Sequence, residues 1–251
     1  MSRSFRFTIA SVAASAALVG GAVAAPAAHA DTSRDAAAAR AALHEVAAQP
    51  NDAASVIDSI DEANAVLKKL GITPFTPTKG LCTDLSMPSA VGGAMPGSIT
   101  PLLGDLNKSL RVKDKDINAI QKGEVLYGFV PVDKFSDTKD KSGMRVAWFN
   151  VNTLDGGFGE PMKGLGDSIV DAVDARLKEA DVSALVRTLA RKTLGSVVAA
   201  IPANGARGGI VKTGSGTVLS AIYGTMQKAG GSEDAPVTCY FFPSLGIATV
   251  K

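Results

Sequence analysis

Three stretches of the chain place apolar residues at the spacing of one face of an α-helix. The first follows Asn51, a residue type that favours helix N-caps, and stops at Gly71, a residue type that favours helix C-termini. The other two predicted helices span 165–178 and 182–198. Their apolar stripes are Val56, Ile60, Ala63, Leu67 and Leu70; Leu165, Ile169, Val173 and Leu177; and Val182, Leu185, Leu189 and Val197.

Other segments are rich in aromatic and β-branched residues, a composition typical of β-strands. Segments 124–132 and 144–151 are separated by a polar stretch that suits a long hairpin connection. Segments 217–226 and 237–242 form a second predicted pair, and 246–250 is predicted as a short final strand. Because strands group with strands and helices with helices, the sequence predicts an α+β fold with an antiparallel sheet.

The segment 73–101 is predicted to be irregular, because its proline and glycine content opposes regular structure. The residues responsible are Pro74, Pro77, Gly80, Pro88, Gly92, Gly93, Pro96, Gly97 and Pro101. A long irregular loop in a compact domain is unusual unless something holds it. A covalent tie at Cys82, which lies in this segment, is the expected restraint.

The first 30 residues have the pattern of an export signal. Arg3 and Arg6 give it a positive start, an apolar stretch covers 8–25, and small residues before Asp31 suit cleavage. An uncleaved anchor is the second interpretation. We therefore expect an exported protein that does not span the membrane after cleavage.

The domain organisation follows from this signal and from the predicted helices. We expect a signal peptide over 1–30, an N-terminal helical segment over 31–72 and an α+β domain over 73–251. Exported compartments are oxidising, and the chain contains two cysteines, Cys82 and Cys239. The sequence therefore predicts one disulfide, which would join the Pro/Gly-rich segment to the strand that carries Cys239.

Charge and residue types exclude several classes of function. The formal net charge of +2 comes from Arg3 and Arg6 of the signal, so the remaining chain is neutral and is not expected to bind nucleic acid. After the signal, His44 is the single histidine, which leaves zinc sites and Ser-His or Cys-His catalysis without their required groups. We expect no catalytic residues, no metal and no cofactor.

Three motif-like segments match known sites incompletely. Residues 208–213 lack the glycine that precedes the lysine of a phosphate-binding loop, and 214–216 lack the flanking residues of a nucleophile elbow. Both are interpreted as turn glycines. Asp114, Asp116 and Asn118 resemble the start of a calcium loop without its glycine and glutamate, so Asp116 is interpreted as a helix N-cap.

Charged residues of the two later helices allow two interpretations. Asp167, Asp171 and Asp174 share one helix face, and Arg187 and Arg191 share a face of the next helix. A helix pair with complementary surface charges explains this pattern. The alternative is a basic surface for anionic lipid, with candidate contacts at Arg187, Arg191 and Lys192.

Other candidate sites depend on how the chain folds. Glu124, Asp155 and Glu160 could form a carboxylate pair for hydrolysis, although their spacing does not select them. Aromatic residues of the predicted strands, Tyr127, Trp148 and Phe149, could form a platform for a sugar or lipid. Strand alternation places Trp148 and Phe149 on opposite faces of the sheet.

Three segments resemble exported, uncharacterised envelope proteins of mycobacteria, corynebacteria and related mycolic-acid-containing actinobacteria. These segments are VAWFNVNTLDGG (146–157), TGSGTVLSAIYGTM (213–226) and TCYFFPSLGIATV (238–250). The resemblance also includes an upstream cysteine in a Pro/Gly-rich segment, here Cys82. It implies residence in or beyond such an envelope and a single disulfide, and it assigns no catalytic residue.

The sequence therefore favours an exported, non-catalytic structural or interaction domain of the cell envelope. The alternative is a carrier for an envelope lipid or glycolipid, and a carboxylate-dependent hydrolase stands third. Expected partners are an envelope lipid, a glycolipid or another envelope protein. A large apolar cavity would favour the carrier, converging carboxylates the hydrolase, and a filled core with a flat exposed apolar patch the interaction domain.

The segment before Pro50 is predicted to be dispensable for folding, because Leu43 and Val46 are its only large apolar residues after the signal. A chain that starts at Asn51 should keep its Tm within a few degrees of the chain that starts at Asp31. Thermal unfolding followed by circular dichroism measures this. A large loss of Tm would show that the segment packs on the core.

Overall fold

The computed structural model describes residues 52–110, 115–132, 134–135, 141–199, 205–229 and 236–251. The predicted signal peptide, the segment 31–51, His44 and Asp114 lie outside the described residues.

The described chain forms four helices and nine strands. The helices are α1 (Asp52–Lys69), α2 (Leu106–Leu110), α3 (Leu165–Glu179) and α4 (Ala184–Val198). The strands are β1 (Thr73–Cys82), β2 (Ser89–Pro96), β3 (Glu124–Pro131), β4 (Met144–Asn150), β5 (Asp155–Phe158), β6 (Lys163–Gly164), β7 (Arg207–Lys212), β8 (Gly216–Gln227) and β9 (Thr238–Val250). The strand order is β5-β4-β8-β9-β1-β2-β3-β7-β6, and the pairings are antiparallel. The predicted α+β class is confirmed, with more strands than the sequence indicated.

Strand β1 belongs to two halves of this curled sheet. Its residues Thr73 to Lys79 pair with β2, in the half formed by β1, β2, β3, β7 and β6, here called sheet A. Gly80, Leu81 and Cys82 pair with β9, in the half formed by β9, β8, β4 and β5, here called sheet B. Cys82 and Cys239 oppose each other in this last pairing and form the predicted disulfide.

Two apolar cores divide the fold into three layers. The first core lies between sheets A and B and includes Tyr127, Phe129 and Phe241. The second core lies between sheet A and the helices and includes Leu126 and Leu165. Sheet A is therefore covered on both faces, whereas the described helices leave the outer face of sheet B uncovered.

Helix α1 ends as its sequence predicts. Gly71 has φ +78°, its N–H donates to the Lys68 carbonyl at 2.9 Å, and the Ile72 N–H donates to the Leu67 carbonyl at 2.9 Å. This pattern is a Schellman motif, and it is completed by apolar contact because Leu67 and Ile72 are buried in the same core. The stop at Gly71 thus turns the chain directly into β1.

The predicted strand pairs are partly wrong. Strands β8 and β9 pair as predicted, but β3 lies in sheet A and β4 in sheet B, so they do not form a hairpin. The predicted short final strand is the end of β9, which continues across a register shift opposite Ile222 and Gly224. The bulge explains the error, because it interrupts the alternation at Pro243 without ending the strand.

The prediction of an irregular segment over 73–101 is wrong, because β1 and β2 occupy most of it. Pro74 and Pro77 flank a register shift in β1, where the regular ladder is interrupted. A Cβ placed on Gly93 would lie 2.6 Å from Ile72 Cγ2 and 2.8 Å from the Thr73 carbonyl oxygen. The proline and glycine content therefore reflects a bulge and a close approach of packed strands.

The apolar stripe predicted for the last helix is also wrong. Leu194 is buried, but Leu185 is 81% exposed and Leu189 is 65% exposed. Helix α4 packs against α3 and not against the sheet. Only a narrow strip of α4 is therefore covered, and Leu185 and Leu189 stay exposed. By contrast, Leu165, Ile169 and Val173 of α3 are buried as predicted, because α3 lies directly on sheet A.

Replacing Gly93 with alanine should destabilise the protein by about 1–3 kcal/mol, because the added methyl group has no space between Ile72 and the Thr73 backbone. The matched control is Gly195→Ala in α4, where a Cβ would meet nothing within 4 Å. This control should stabilise by about 0.5–1 kcal/mol, because glycine is a poor helix former. Urea unfolding with the disulfide intact measures both changes. Equal stability of the two variants would contradict the close packing described at Gly93.

Candidate functional site

A cleft of about 600 Å³ lies where helix α3 passes the edge of sheet A. Four charged side chains line it, namely Lys141, Glu160, Lys163 and Asp171. Lys163 Nζ lies 3.3 Å from Asp171 Oδ2, so charges inside the cleft are paired with each other. The cleft at this sheet edge therefore combines paired charges with apolar lining residues such as Met162 and Ile210.

The structure assigns different places to the candidate carboxylates. Glu124 accepts two hydrogen bonds from Arg176 Nη2, at 2.8 and 3.0 Å, and both side chains are largely buried. Glu160 lines the cleft, and Asp155 is exposed at the start of β5. Glu124 therefore joins β3 to α3 in an ion pair.

The basic residues of α4 are arranged as a complementary helix pair. Arg191 Nη2 lies 2.5 Å from Asp171 Oδ1, and Arg187 Nη1 lies 3.6 Å from Asp174 Oδ1. Lys192 is exposed. The predicted charge pairing between the two helices is confirmed, and the contact of Arg187, Arg191 and Lys192 with anionic lipid stays a prediction.

The segment that resembles a calcium loop forms a hydrogen-bonded turn cluster. Asp116 accepts hydrogen bonds from the Ser98 hydroxyl, the Asn107 side chain and the Asn118 N–H. Burial acts to raise the pKa of Asp116, but these hydrogen bonds outweigh it and hold the pKa below its usual value. The predicted N-cap role of Asp116 is wrong. Instead, Asp105 accepts hydrogen bonds from N–H groups of the first turn of α2.

Other motif-like segments have structural roles. Gly208 and Gly209 lie in strand β7, so their interpretation as turn glycines is wrong, whereas Gly214 and Ser215 do connect β7 to β8. A Cβ on Gly208 would lie 2.7 Å from Leu165 Cδ1, so this glycine allows α3 to approach the sheet. In the described part of the chain, no group of three or more His, Cys, Asp or Glu residues could hold a metal ion.

The outer face of sheet B carries large apolar side chains that are exposed. We call this surface the apolar face, and its members are between 41% and 69% exposed. It consists of Leu81, Phe149, Phe158, Leu219, Tyr240, Phe242, Leu245 and Ile247. Among the outward-facing residues of the described strands β4, β8 and β9, Arg145 is the one charged side chain.

The strand register aligns these residues in rows across the sheet. Phe149, Leu219 and Ile247 are direct cross-strand partners in one row. In the next row, Ala147 and Ala221 lie between Phe158 and Leu245. Directly opposed residues of antiparallel strands point to the same face, so the rows form one continuous surface.

Only one of the three candidate platform aromatics belongs to this surface. Tyr127 is buried, and its hydroxyl lies 2.7 Å from Ser220 Oγ. Burial raises the pKa of Tyr127 to about 12. Trp148 packs against the inner core and Phe149 is exposed, as the alternation predicted. The apolar face therefore replaces the predicted aromatic platform.

Sequence reasoning missed most of the apolar face, although β9 carried a signal for it. In the segment 239–247, residues at both parities of the alternation are apolar, as in Tyr240 next to Phe241. A strand that is apolar on both parities is typical of one covered on both faces. The structure covers one face of β9, and the other is the apolar face.

Comparisons with known proteins identify no relative of this chain. No protein-family model, curated protein or solved structure matches it. Within the described ranges, no helix is long and apolar enough to cross a membrane.

If Arg187, Arg191 and Lys192 contact anionic lipid, changing all three to Gln should weaken vesicle binding roughly a hundredfold, since each basic residue contributes about 1 kcal/mol. Loss of the more exposed Arg191–Asp171 pair should cost about 0–1 kcal/mol. Loss of the Arg187–Asp174 pair should cost more, because these side chains are only 23% and 28% exposed. Sedimentation with anionic vesicles across a salt series measures the binding. Vesicle binding that changes neither with salt concentration nor with the triple substitution would contradict the lipid contact. These residues would then be the charged surface of a helix pair.

Proposed function

We propose that this protein is an exported, non-catalytic interaction domain of the cell envelope, and that the apolar face is its contact surface. The observation that carries the proposal is the exposure of this face on sheet B, opposite a filled core. A sheet face of this kind is suited to binding another surface by burial, because its exposed side chains form a broad apolar patch.

The size of the face supports an interaction role. At about 150–250 Å² for a fully exposed large side chain, the eight members of the apolar face together expose roughly 800 Å². The largest apolar patch of a typical monomer is about 300–600 Å². Leaving this area in water is unfavourable, so an occupant that covers it gains free energy in proportion to the area buried.

Export is supported by the covalent framework and by the sequence of the N-terminus. Both described cysteines are joined in one disulfide, as is usual in oxidising compartments. The signal-like pattern of residues 1–30 points to the same location. The three segments that resemble envelope proteins contain β4, β8 and β9, which are adjacent strands of sheet B.

The two alternative functions have weaker support from the geometry. A carrier for an envelope lipid needs an apolar enclosure, and the cleft beside α3 contains four charged side chains. A hydrolase needs an acid and a base free to act. Of the three candidate carboxylates, Glu124 is engaged by Arg176, Glu160 lines the cleft and Asp155 is exposed at the start of β5.

Placing charges on the apolar face should abolish binding of the protein to the envelope fraction of its host. The variant Phe242→Lys with Ile247→Lys should reduce the amount that co-sediments at least about thirtyfold, because placing charges on a contact surface costs about 2 kcal/mol or more. Quantitative sedimentation of the purified chain with envelope fractions measures this. The Tm of the variant should stay close to that of the parent, because both side chains are about half exposed.

The matched control adds two lysines to another exposed apolar surface, with Leu185→Lys and Leu189→Lys on α4. This control has the same change in net charge and leaves the apolar face intact, so it should bind the envelope at least as well as the parent, since the added lysines lie on the helix that carries Arg187, Arg191 and Lys192. Loss of binding in both variants would indicate a charge effect. Failure of the parent to bind, or equal binding of both variants, would overturn the proposal.

A further inference from the structure

The rows of the apolar face form a ridge beside a hollow. The ridge is the row Phe149, Leu219 and Ile247, and the hollow is formed by Ala147 and Ala221 in the adjacent row. Both rows use the same neighbouring strands, so each hollow residue lies two positions along its strand from a ridge residue. The rows are therefore about 7 Å apart.

This pattern is complementary to itself under a two-fold rotation. An axis in the interface, parallel to the rows and midway between them, places the ridge of one copy over the hollow of the other. Phe149 of one copy then lies over Ala147 of the other, and Leu219 lies over Ala221. The same rotation places Phe158 over Gly156 and Ile247 over Leu245. Large side chains thus meet small ones at three of these four positions when two sheets stack at their usual spacing of about 10 Å.

We propose that the occupant of the apolar face is a second copy of this chain, stacked ridge into hollow about this two-fold axis. The inference rests on the proposed function, because it names the partner of the same surface: the added chain would bind to copies already present in the envelope fraction. A two-fold contact is isologous, which means that one patch contributes both halves of the interface. The ridge and hollow meet this requirement.

Arg145, the one charged side chain among the outward-facing residues of the described strands β4, β8 and β9, fits the arrangement. It lies in the row beyond the hollow, beside Tyr223. The rotation places it at the periphery of the contact, opposite Val151 of the other copy, whose row also contains Thr217 and Thr249. There the guanidinium group can stay hydrated or donate to the threonine hydroxyls, so the stacking buries no unpaired charge.

The area is suitable for a two-fold dimer. The ridge, Phe158, Leu245 and Val151 expose roughly 550 Å² of side chain per copy, using about 150–250 Å² for each fully exposed large residue. The alanine, threonine and tyrosine side chains of the same rows add to this. The total approaches the ~800 Å² per partner of standard stable interfaces. Tyr240, Phe242 and Leu81 lie beyond this contact and extend the face.

Charge complementation between two variants tests this register. Leu219→Lys and Ala221→Glu should each weaken self-association at least about a hundredfold, because each homodimer would bury two unpaired charges. An equimolar mixture should form a heterodimer, since the introduced lysine of one copy then faces the introduced glutamate of the other and the remaining contacts are native. Sedimentation velocity of the purified, disulfide-intact chain over about a hundredfold range of concentration measures the mass.

We expect a dimer for the parent chain, monomers for each variant and a dimer for the mixture. The Leu185→Lys and Leu189→Lys control should remain dimeric. A monomeric parent would overturn the inference, and so would a dimer that survives both single variants. Two monomeric variants that do not associate when mixed would overturn the proposed register.

Circular dichroism and thiol titration of each variant confirm that it is folded and disulfide-bonded. The envelope sedimentation described above separates the two proposals. A monomeric parent whose envelope binding is lost with Phe242→Lys and Ile247→Lys would overturn the second copy as partner and leave the interaction function standing. A monomeric parent that does not bind the envelope would overturn both.

Discussion

The fold depends on a single strand that two half-sheets share. Strand β1 pairs with β2 along most of its length and with β9 at its end, so it determines how sheet A and sheet B curl over the core between them. The disulfide fixes this end by joining Cys82 to Cys239, 157 residues apart. The chain-entropy account of a loop this long gives about 5 kcal/mol as an upper value. Without the β1 and β9 pairing, the two sheets would share no strand.

Close packing between the sheets requires residues without side chains at the points of contact. The Phe75 ring of β1 occupies the place where a Cβ of Gly246 would lie, at a distance of 1.8 Å from Cδ1. On the neighbouring strand, Ser244 Oγ accepts a hydrogen bond from the Gly92 N–H at 3.0 Å. These contacts hold β9 of sheet B closely against β1 and β2 of sheet A.

Sequence patterns predicted local elements better than their pairing. The apolar stripe of α3 and the end of α1 at Gly71 both depend on residues close in sequence, and both predictions are confirmed. The predicted pairing of β3 with β4 was wrong, although both strands satisfy the hairpin pattern. Strand β3 lies between β2 and β7, and β4 lies between β5 and β8, so each strand has one partner far later in the chain. The prediction that the segment 73–101 is irregular was wrong for a related reason. Its glycines leave room for residues distant in sequence, such as Ser244 and Phe241, and local composition does not reveal these contacts.

The apolar face shows how sequence and fold together indicate a missing cover. Strand β3 is buried along nearly its whole length, because the helices cover one face of sheet A and sheet B covers the other. Strand β9 is apolar on both parities, yet its burial alternates, because the described helices reach sheet A alone. The sequence of β9 thus matches a strand with two covered faces, and the described fold supplies one cover. Stacking ridge into hollow against a second copy would supply the other while Arg145 stays at the periphery of the contact, so the proposed pairing depends on the register that places Ala147 and Ala221 beside the ridge.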